Sequence, residues 1–277
     1  MNADAGEILY EVRDGHTAVL TLNRPQARNA VNGAVAAAME ALVERTESDP
    51  EIRAVVLASS HAEVFSAGAD LKEIAAGRRA SLRTERGGFA GLAFARRDKP
   101  WIAAVDGKAL AGGCELVLSC DMVVASTAAS FGLPEVLRGL VAAAGGLYRL
   151  PRALPPNVAL ELIATALPID AARAHHFGFV NRLTAPGEAL QEALLLARQI
   201  GANAPVAVRE SLKVARAALD RIEPELRQRS AEAMAVVAAS EDYREGPLAF
   251  IEKRAPRWRG AEGPIARWAP PARAFSS

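Results

Sequence analysis

Short runs that are apolar at nearly every position, with small-residue turns between them, constrain this chain more than any other feature. They are residues 52–58 (Ile-Arg-Ala-Val-Val-Leu-Ala), Trp101–Val105 and residues 122–125 (Met-Val-Val-Ala). A strand that is apolar throughout is covered on both faces, as strands in parallel sheets are. The turns Ser66-Ala67-Gly68-Ala69-Asp70 and Ala111-Gly112-Gly113-Cys114-Glu115 lie between these runs and lead into helical patterns. Strand, turn, helix, strand in repetition predicts an α/β protein with parallel strands.

The ends of the chain read differently. Residues 8–12 and 17–22 alternate as two strands around Arg13-Asp14-Gly15-His16, and Asp-Gly is a strong hairpin signal. Asn32 can cap a helix over 33–47 whose apolar face carries Val35, Met39, Leu42, Val43 and Thr46. From Pro186 the strand signals stop, and 187–200, 205–219, Glu223–Ala239 and 241–253 read as helices. The expected organisation is an α/β body over 1–200, a helical region over 201–260 and a loose, proline-bearing end over 261–277.

Composition excludes several classes. Lys plus Arg number 33 against 32 Asp plus Glu, a net charge of +1, which does not suggest a general nucleic-acid binder. Residues 78–99 are the exception, with seven Lys or Arg against two acids, a solvated face or a strip that steers a phosphate-bearing ligand. No run approaches the ~18 apolar residues of a membrane span. The opening residues carry acids where a secretory leader carries bases, so the expected location is the cytoplasm, with no membrane partner. Cys114 and Cys120 are too few for a disulfide framework and have no His pair to complete a zinc site; they read as small buried residues. His175 and His176 are adjacent and point to different faces of a helix, so no metal is expected.

No G-x-S-x-G, G-x-x-x-x-G-K-[ST] or G-x-G-x-x-G is present, which removes a hydrolase nucleophile elbow and both nucleotide fingerprints. The two glycine turns remain. Each brings backbone close to a ligand at a helix start, where N–H groups lack partners. If the turns face each other, they offer two donors to one oxygen, an oxyanion hole. Glu115 lies in an apolar setting in the second turn, and Glu135 follows Pro134 at another helix start. Each alone can serve only the helix dipole. Together they meet the needs of adding water across a double bond: a base for the water and an acid for the neighbouring carbon. Two carboxyls in a dry pocket cannot both be charged cheaply, so one tends to keep its proton.

At these residues the sequence resembles the crotonase (enoyl-CoA hydratase/isomerase) superfamily over roughly residues 7–260. The resemblance is carried by Leu22-Asn23-Arg24-Pro25-Gln26-Ala27-Arg28-Asn29-Ala30, residues 65–72, 111–115 and 131–139, Ala144-Gly145-Gly146, and Gly246-Pro247-Leu248-Ala249-Phe250-Ile251-Glu252-Lys253-Arg254. It implies a ββα spiral core, a C-terminal helical region that builds trimers or hexamers, and an acyl-CoA thioester substrate with no separate cofactor. It places backbone N–H groups of Ala69 and Gly112 on the thioester oxygen. It makes Glu115 and Glu135 the catalytic carboxyls, the first activating water and the second handling the proton at the α-carbon. It aligns Ala27, Arg28, Ala67, Asp70, Leu71 and Lys72 with CoA-lining positions. Phe250 and Lys253 match positions that reach the nucleotide end of CoA, in some members from a neighbouring subunit.

Possession of both glutamates favours hydration over double-bond isomerisation. Loops such as Gly87-Gly88-Phe89-Ala90-Gly91-Leu92 and Asp98-Lys99-Pro100 look like crotonobetainyl-CoA hydratases (carnitinyl-CoA dehydratases). That activity and enoyl-CoA isomerisation are the alternatives. A non-catalytic RNA-binding relative is a distant one, opposed by the charge balance and by aromatics at 5%. The sequence departs from the family at Leu140-Val141-Ala142-Ala143-Ala144, where many members carry a proline-glycine pair; the departure bears on the placement of Glu135.

Overall fold

A computed structural model describes residues 6–260; the loose end expected over 261–277 lies outside the described residues. In chain order the strands are β1 (Ile8–Arg13), β2 (Thr17–Leu22), β3 (Ala54–Ser59), β4 (Val64–Ser66), β5 (Arg83–Thr84), β6 (Gly88–Phe89), β7 (Trp101–Val105), β8 (Lys108–Leu110), β9 (Met122–Ser126), β10 (Ser130–Gly132), β11 (Ile169–Asp170) and β12 (Arg182–Thr184). The helices are α1 (Gly33–Ser48), α2 (Leu71–Ala75), α3 (Gly112–Ser119), α4 (Gly146–Ala153), α5 (Pro156–Thr165), α6 (Ala171–His176), α7 (Ala189–Gly201), α8 (Pro205–Ala217), α9 (Glu223–Ala239) and α10 (Asp242–Ile251).

The larger sheet runs β1-β2-β3-β7-β9-β12, antiparallel at the first pair and parallel from β2 onward. The entry hairpin turns at Asp14 and Gly15, both at positive φ (52° and 73°), which glycine adopts freely and aspartate tolerates. The Asn32 side chain accepts from the Val35 amide at 2.8 Å and starts α1. Alternate residues of the central strands enter two cores. Val55, Leu57, Trp101 and Ala103 pack on one side with Phe65, Leu116 and Phe131. Val56, Ile102, Ala104 and Val124 pack on the other with Ala193 and Ala197 of α7. Burial on both faces is why the sequence shows unbroken apolar runs instead of alternation.

A second sheet, β11-β10-β8-β4, is built from two- and three-residue strands. The chain therefore winds strand, short strand, helix: β3-β4-α2, then β7-β8-α3. This is the ββα spiral. The short strands are invisible in the sequence because three residues carry no periodicity, and they read only as part of the glycine turns.

The chain divides into two compact units between Ile200 and Gly201. In the second, α8 packs along α9, and α10 is followed by a segment tied back by Arg254, which pairs with Glu245 at 2.6 and 3.0 Å. The Trp258 indole donates to the Ala202 carbonyl at 2.7 Å. Among the described residues no helix is long and apolar enough to cross a membrane.

Candidate active site

Each glycine turn is fixed by hydrogen bonds that leave backbone amide donors over. In the first, the Gly68 amide donates to Ser66 Oγ at 3.1 Å and the Asp70 amide to the Val31 carbonyl at 2.9 Å. The Ala69 amide between them meets no acceptor among the described residues. In the second, the Ala111 amide donates to the Gly132 carbonyl at 2.9 Å and the Glu115 amide to the Ala111 carbonyl at 3.1 Å. Gly112, the first residue of α3, likewise has no acceptor for its N–H among the described residues. Ala111 holds φ 52° and ψ −129°, a region costly for a residue with a Cβ.

The two turns touch backbone to backbone. A Cβ on Gly68 would lie 2.6 Å from the Gly112 nitrogen, and one on Gly113 would lie 2.2 Å from the Ser66 carbonyl oxygen. Only glycine allows this approach. Ala69 and Gly112 line one cavity of about 470 Å³ together with Glu115 and Glu135.

Glu115 is 4% exposed, on the first turn of α3. Its Oε1 accepts from the amides of Ala144 (2.6 Å) and Gly146 (2.9 Å), where α4 begins. Burial nevertheless raises its pKa, against the pull of those two amides and the charges of Arg149 and Arg83. Glu135 sits in the first turn of a short 3₁₀ helix, Pro134–Arg138, at the helix start expected from the sequence. Its Oε2 is buried with no partner among the described residues. Burial first, and then the Glu115 charge, push its pKa up to about 7, while its own backbone amide and Arg138 pull the other way.

Of the expected ligand-lining residues, Arg28, Ala67 and Leu71 line this cavity. Ala27, Asp70 and Lys72 do not. Asp70 caps α2, accepting from the Lys72 amide at 3.0 Å, and pairs with Arg24 at 3.2 Å. Phe250 and Lys253 belong to the second unit, where Phe250 is 86% exposed. Burial pushes the Cys114 and Cys120 thiols up, which leaves both unreactive.

The basic strip at 78–99 does not stand as one patch. Arg78 pairs with Glu73, and Arg86 with Glu40 and Glu44. Lys99 is buried and donates to the Thr46 and Asp49 carbonyls, while Arg97 donates to the Ser119 carbonyl. Arg79 and Arg83 line the cavity, and both fall in residues 77–97, which the sequence suggests as one wall of the acyl site; Arg138, for which the sequence carries no such expectation, lines it too. For Arg138 a signal existed, since i and i+3 eclipse on a 3₁₀ turn and Glu135 stands three residues earlier. For Ala144 and Gly146 the glycine pair was visible, but not that its amides hold Glu115.

Unpaired backbone amides beside two protonatable carboxyls, in a dry cleft of a wound α/β frame, mark the class of enzymes that stabilise a developing oxyanion while moving protons. Comparison with known proteins agrees. The family described as enoyl-CoA hydratase/isomerase matches residues 13–261. The carnitinyl-CoA dehydratase of Salmonella arizonae is 39% identical over 259 residues, covering 92% of this chain and 99% of that protein. The solved enoyl-CoA hydratase from Mycobacterium tuberculosis superposes with a TM-score of 0.88 at 40% identity, covering 92% of this chain and all (100%) of the other. A carnitinyl-CoA hydratase from Mycobacterium avium superposes with a TM-score of 0.74 at 44% identity, covering 93% and 100%. The chain belongs to the enoyl-CoA hydratase/isomerase family, the crotonases, and is an enzyme of that family.

Proposed function

We propose that this enzyme reversibly adds water to a 2-enoyl-CoA thioester, with Glu115 and Glu135 as the catalytic carboxyls. The observation that carries the reading is the unequal pair: Glu115 holds two amide hydrogen bonds that favour its charged form, whereas Glu135, with a bare buried Oε2, keeps a proton up to about pH 7. Two carboxyls whose surroundings push them apart in this way suit acid and base roles at one pH.

The thioester oxygen accepts from the Ala69 and Gly112 amides. Each such donor is worth ~3–4 kcal/mol to a transition state that carries negative charge there. Glu115 takes a proton from water as the oxygen adds to the β-carbon. The electron pair of the double bond moves into the thioester as an enolate. Glu135 then delivers its proton to the α-carbon, so that H and OH have been added and one proton has passed from Glu135 to Glu115; exchange with solvent resets the pair. The chemistry asks for no group beyond the substrate's own coenzyme A. Arg28, Ala67 and Leu71 line the same cavity, which supports assigning them to the CoA chain.

The names of the Salmonella and M. avium relatives favour a second reading, dehydration of a carnitinyl thioester, which is the same chemistry run backwards on a cationic acyl group. Incubation of crotonyl-CoA in ¹⁸O-water should yield the labelled 3-hydroxyacyl product. Glu115→Gln and Glu135→Gln should each lower kcat by ~10²–10⁴-fold. Double-bond migration without label uptake, or normal turnover by both variants, would reject the hydratase.

A further inference from the structure

The charge of the cavity narrows the acyl group. Arg28, Arg79, Arg83 and Arg138 all line it, and no ion pair among the described residues holds any of the four. The acids on the lining are Glu115 and Glu135, two against four arginines, and burial holds Glu135 toward its protonated form. The cleft therefore carries excess positive charge that an occupant must answer.

Coenzyme A phosphates can answer part of it. Arg28 lies beside Ala67 and Leu71 on the strip of lining that a CoA chain would follow. Arg83 and Arg138 are placed otherwise. Arg138 follows Glu135 by three residues on one 3₁₀ turn, so the two side chains share a face, and its charge acts on Glu135. Arg83 comes from β5, in register with Phe89 of β6, whose ring lies 2.6 Å from where a Cβ on Gly112 would stand. Both cations thus belong to the stretch of lining that carries Gly112 and Glu135. A plain alkyl chain gains nothing from them, and a quaternary ammonium is repelled. Recognition of such an ammonium uses aromatic faces or carboxylates. Among the described lining residues Phe89 is the aromatic, and the carboxyls, Glu115 and Glu135, are the pair assigned above to proton transfer.

We infer that the acyl site of this enzyme takes enoyl chains that end in a carboxylate, gripped by Arg83 and Arg138, and disfavours the trimethylammonium chain that its carnitinyl-named relatives suggest. The inference rests on the hydratase reading, and its test separates the two. Purified enzyme is assayed with crotonyl-CoA, pent-2-enedioyl-CoA (a terminal carboxylate) and crotonobetainyl-CoA (a terminal quaternary ammonium). The expected kcat/KM for the carboxylate substrate exceeds that for the betainyl substrate at least tenfold. Arg83→Gln and Arg138→Gln should each lower the ratio of carboxylate to crotonyl kcat/KM about tenfold, with Arg138→Lys keeping most of it. Equal losses on all three thioesters would assign these arginines to the CoA phosphates and overturn the inference. So would a preference for the betainyl substrate, or carboxylate and betainyl rates that match, while crotonyl-CoA turnover leaves the hydratase standing. Turnover of none of the three would overturn both.

Discussion

Glu135 keeps its proton because folding strips water from its carboxyl and supplies nothing to Oε2 in return, with the Glu115 charge in the same cavity adding to the effect. The sign of the linkage follows. The folded protein holds this proton up to about pH 7, against an ordinary value of 4.5 for the group. Below 4.5 both states are protonated and the group costs nothing. As pH rises toward 7 the unfolded chain ionises first, and stability from this group is progressively lost; above 7 the loss is constant. Glu135→Gln removes that titration. Urea unfolding of the variant between pH 4.5 and 7.5 should therefore decline less steeply with pH than that of the parent. In the parent, kcat/KM should show an ionisation near 7 that belongs to the glutamate pair. Parallel stability curves for parent and variant would place the perturbed proton elsewhere.

Among the elements, α4 bears most on the proposed chemistry, because amides at and just before its start hold the Glu115 carboxyl. The dipole of an eight-residue helix adds to the two hydrogen bonds. Gly146→Ala tests this directly: its Cβ would lie 2.8 Å from Ala142 Cβ, 2.9 Å from Leu133 Cδ1 and 3.1 Å from Glu115 Oε1. Overpacking of this kind costs roughly 1–3 kcal/mol, which urea unfolding will read. Because the added methyl also pushes the carboxylate off its amides, kcat should fall at least tenfold in protein that still unfolds cooperatively; an unchanged kcat would remove α4 from the mechanism. This element also shows what the sequence could reveal. The parallel strands, the Asn32 cap and the two glycine turns were legible, though not that the turns meet, because burial on both faces, helix caps and close backbone approach each demand particular residue types. The grip of α4 on Glu115 was not, since Glu115 and Gly146 are brought together by tertiary winding alone. Residues 77–97 were readable as a wall of the acyl site, but not which of their arginines face the cavity; partners distant in sequence, such as Glu40 and Glu44, decide which are drawn away.

At the scale of the whole molecule, the second unit leaves several large apolar side chains exposed. Among its residues Leu219 is 64% exposed, Ile222 65%, Met234 50%, Phe250 86% and Ile251 74%, and α9 buries none of its residues. Patches of this kind on a soluble chain mark a surface that another protein covers. On α9 Arg227 pairs with Glu223 at 2.6 Å, and Arg221, just before the helix, pairs with Glu225 at 3.5 Å; water screens both pairs and they add little stability, so they do not explain why the helix forms. Coverage by copies of the same chain does explain it, and we propose a homotrimer or a pair of trimers, the state that the crotonase resemblance implies. Light scattering of the purified protein at micromolar concentration should give three or six times 29.2 kDa. Replacing Phe250 and Ile251 together by serine removes two large apolar contacts from the proposed interface, each worth ~1.5–3 kcal/mol when fully buried. The double variant should shift toward monomer on dilution, and its KM for the thioester should rise if Phe250 and Lys253 reach a neighbour's CoA. A parent protein that scatters as a single chain would reject the trimer outright, whereas a trimeric double variant with unaltered KM would move the interface away from α10.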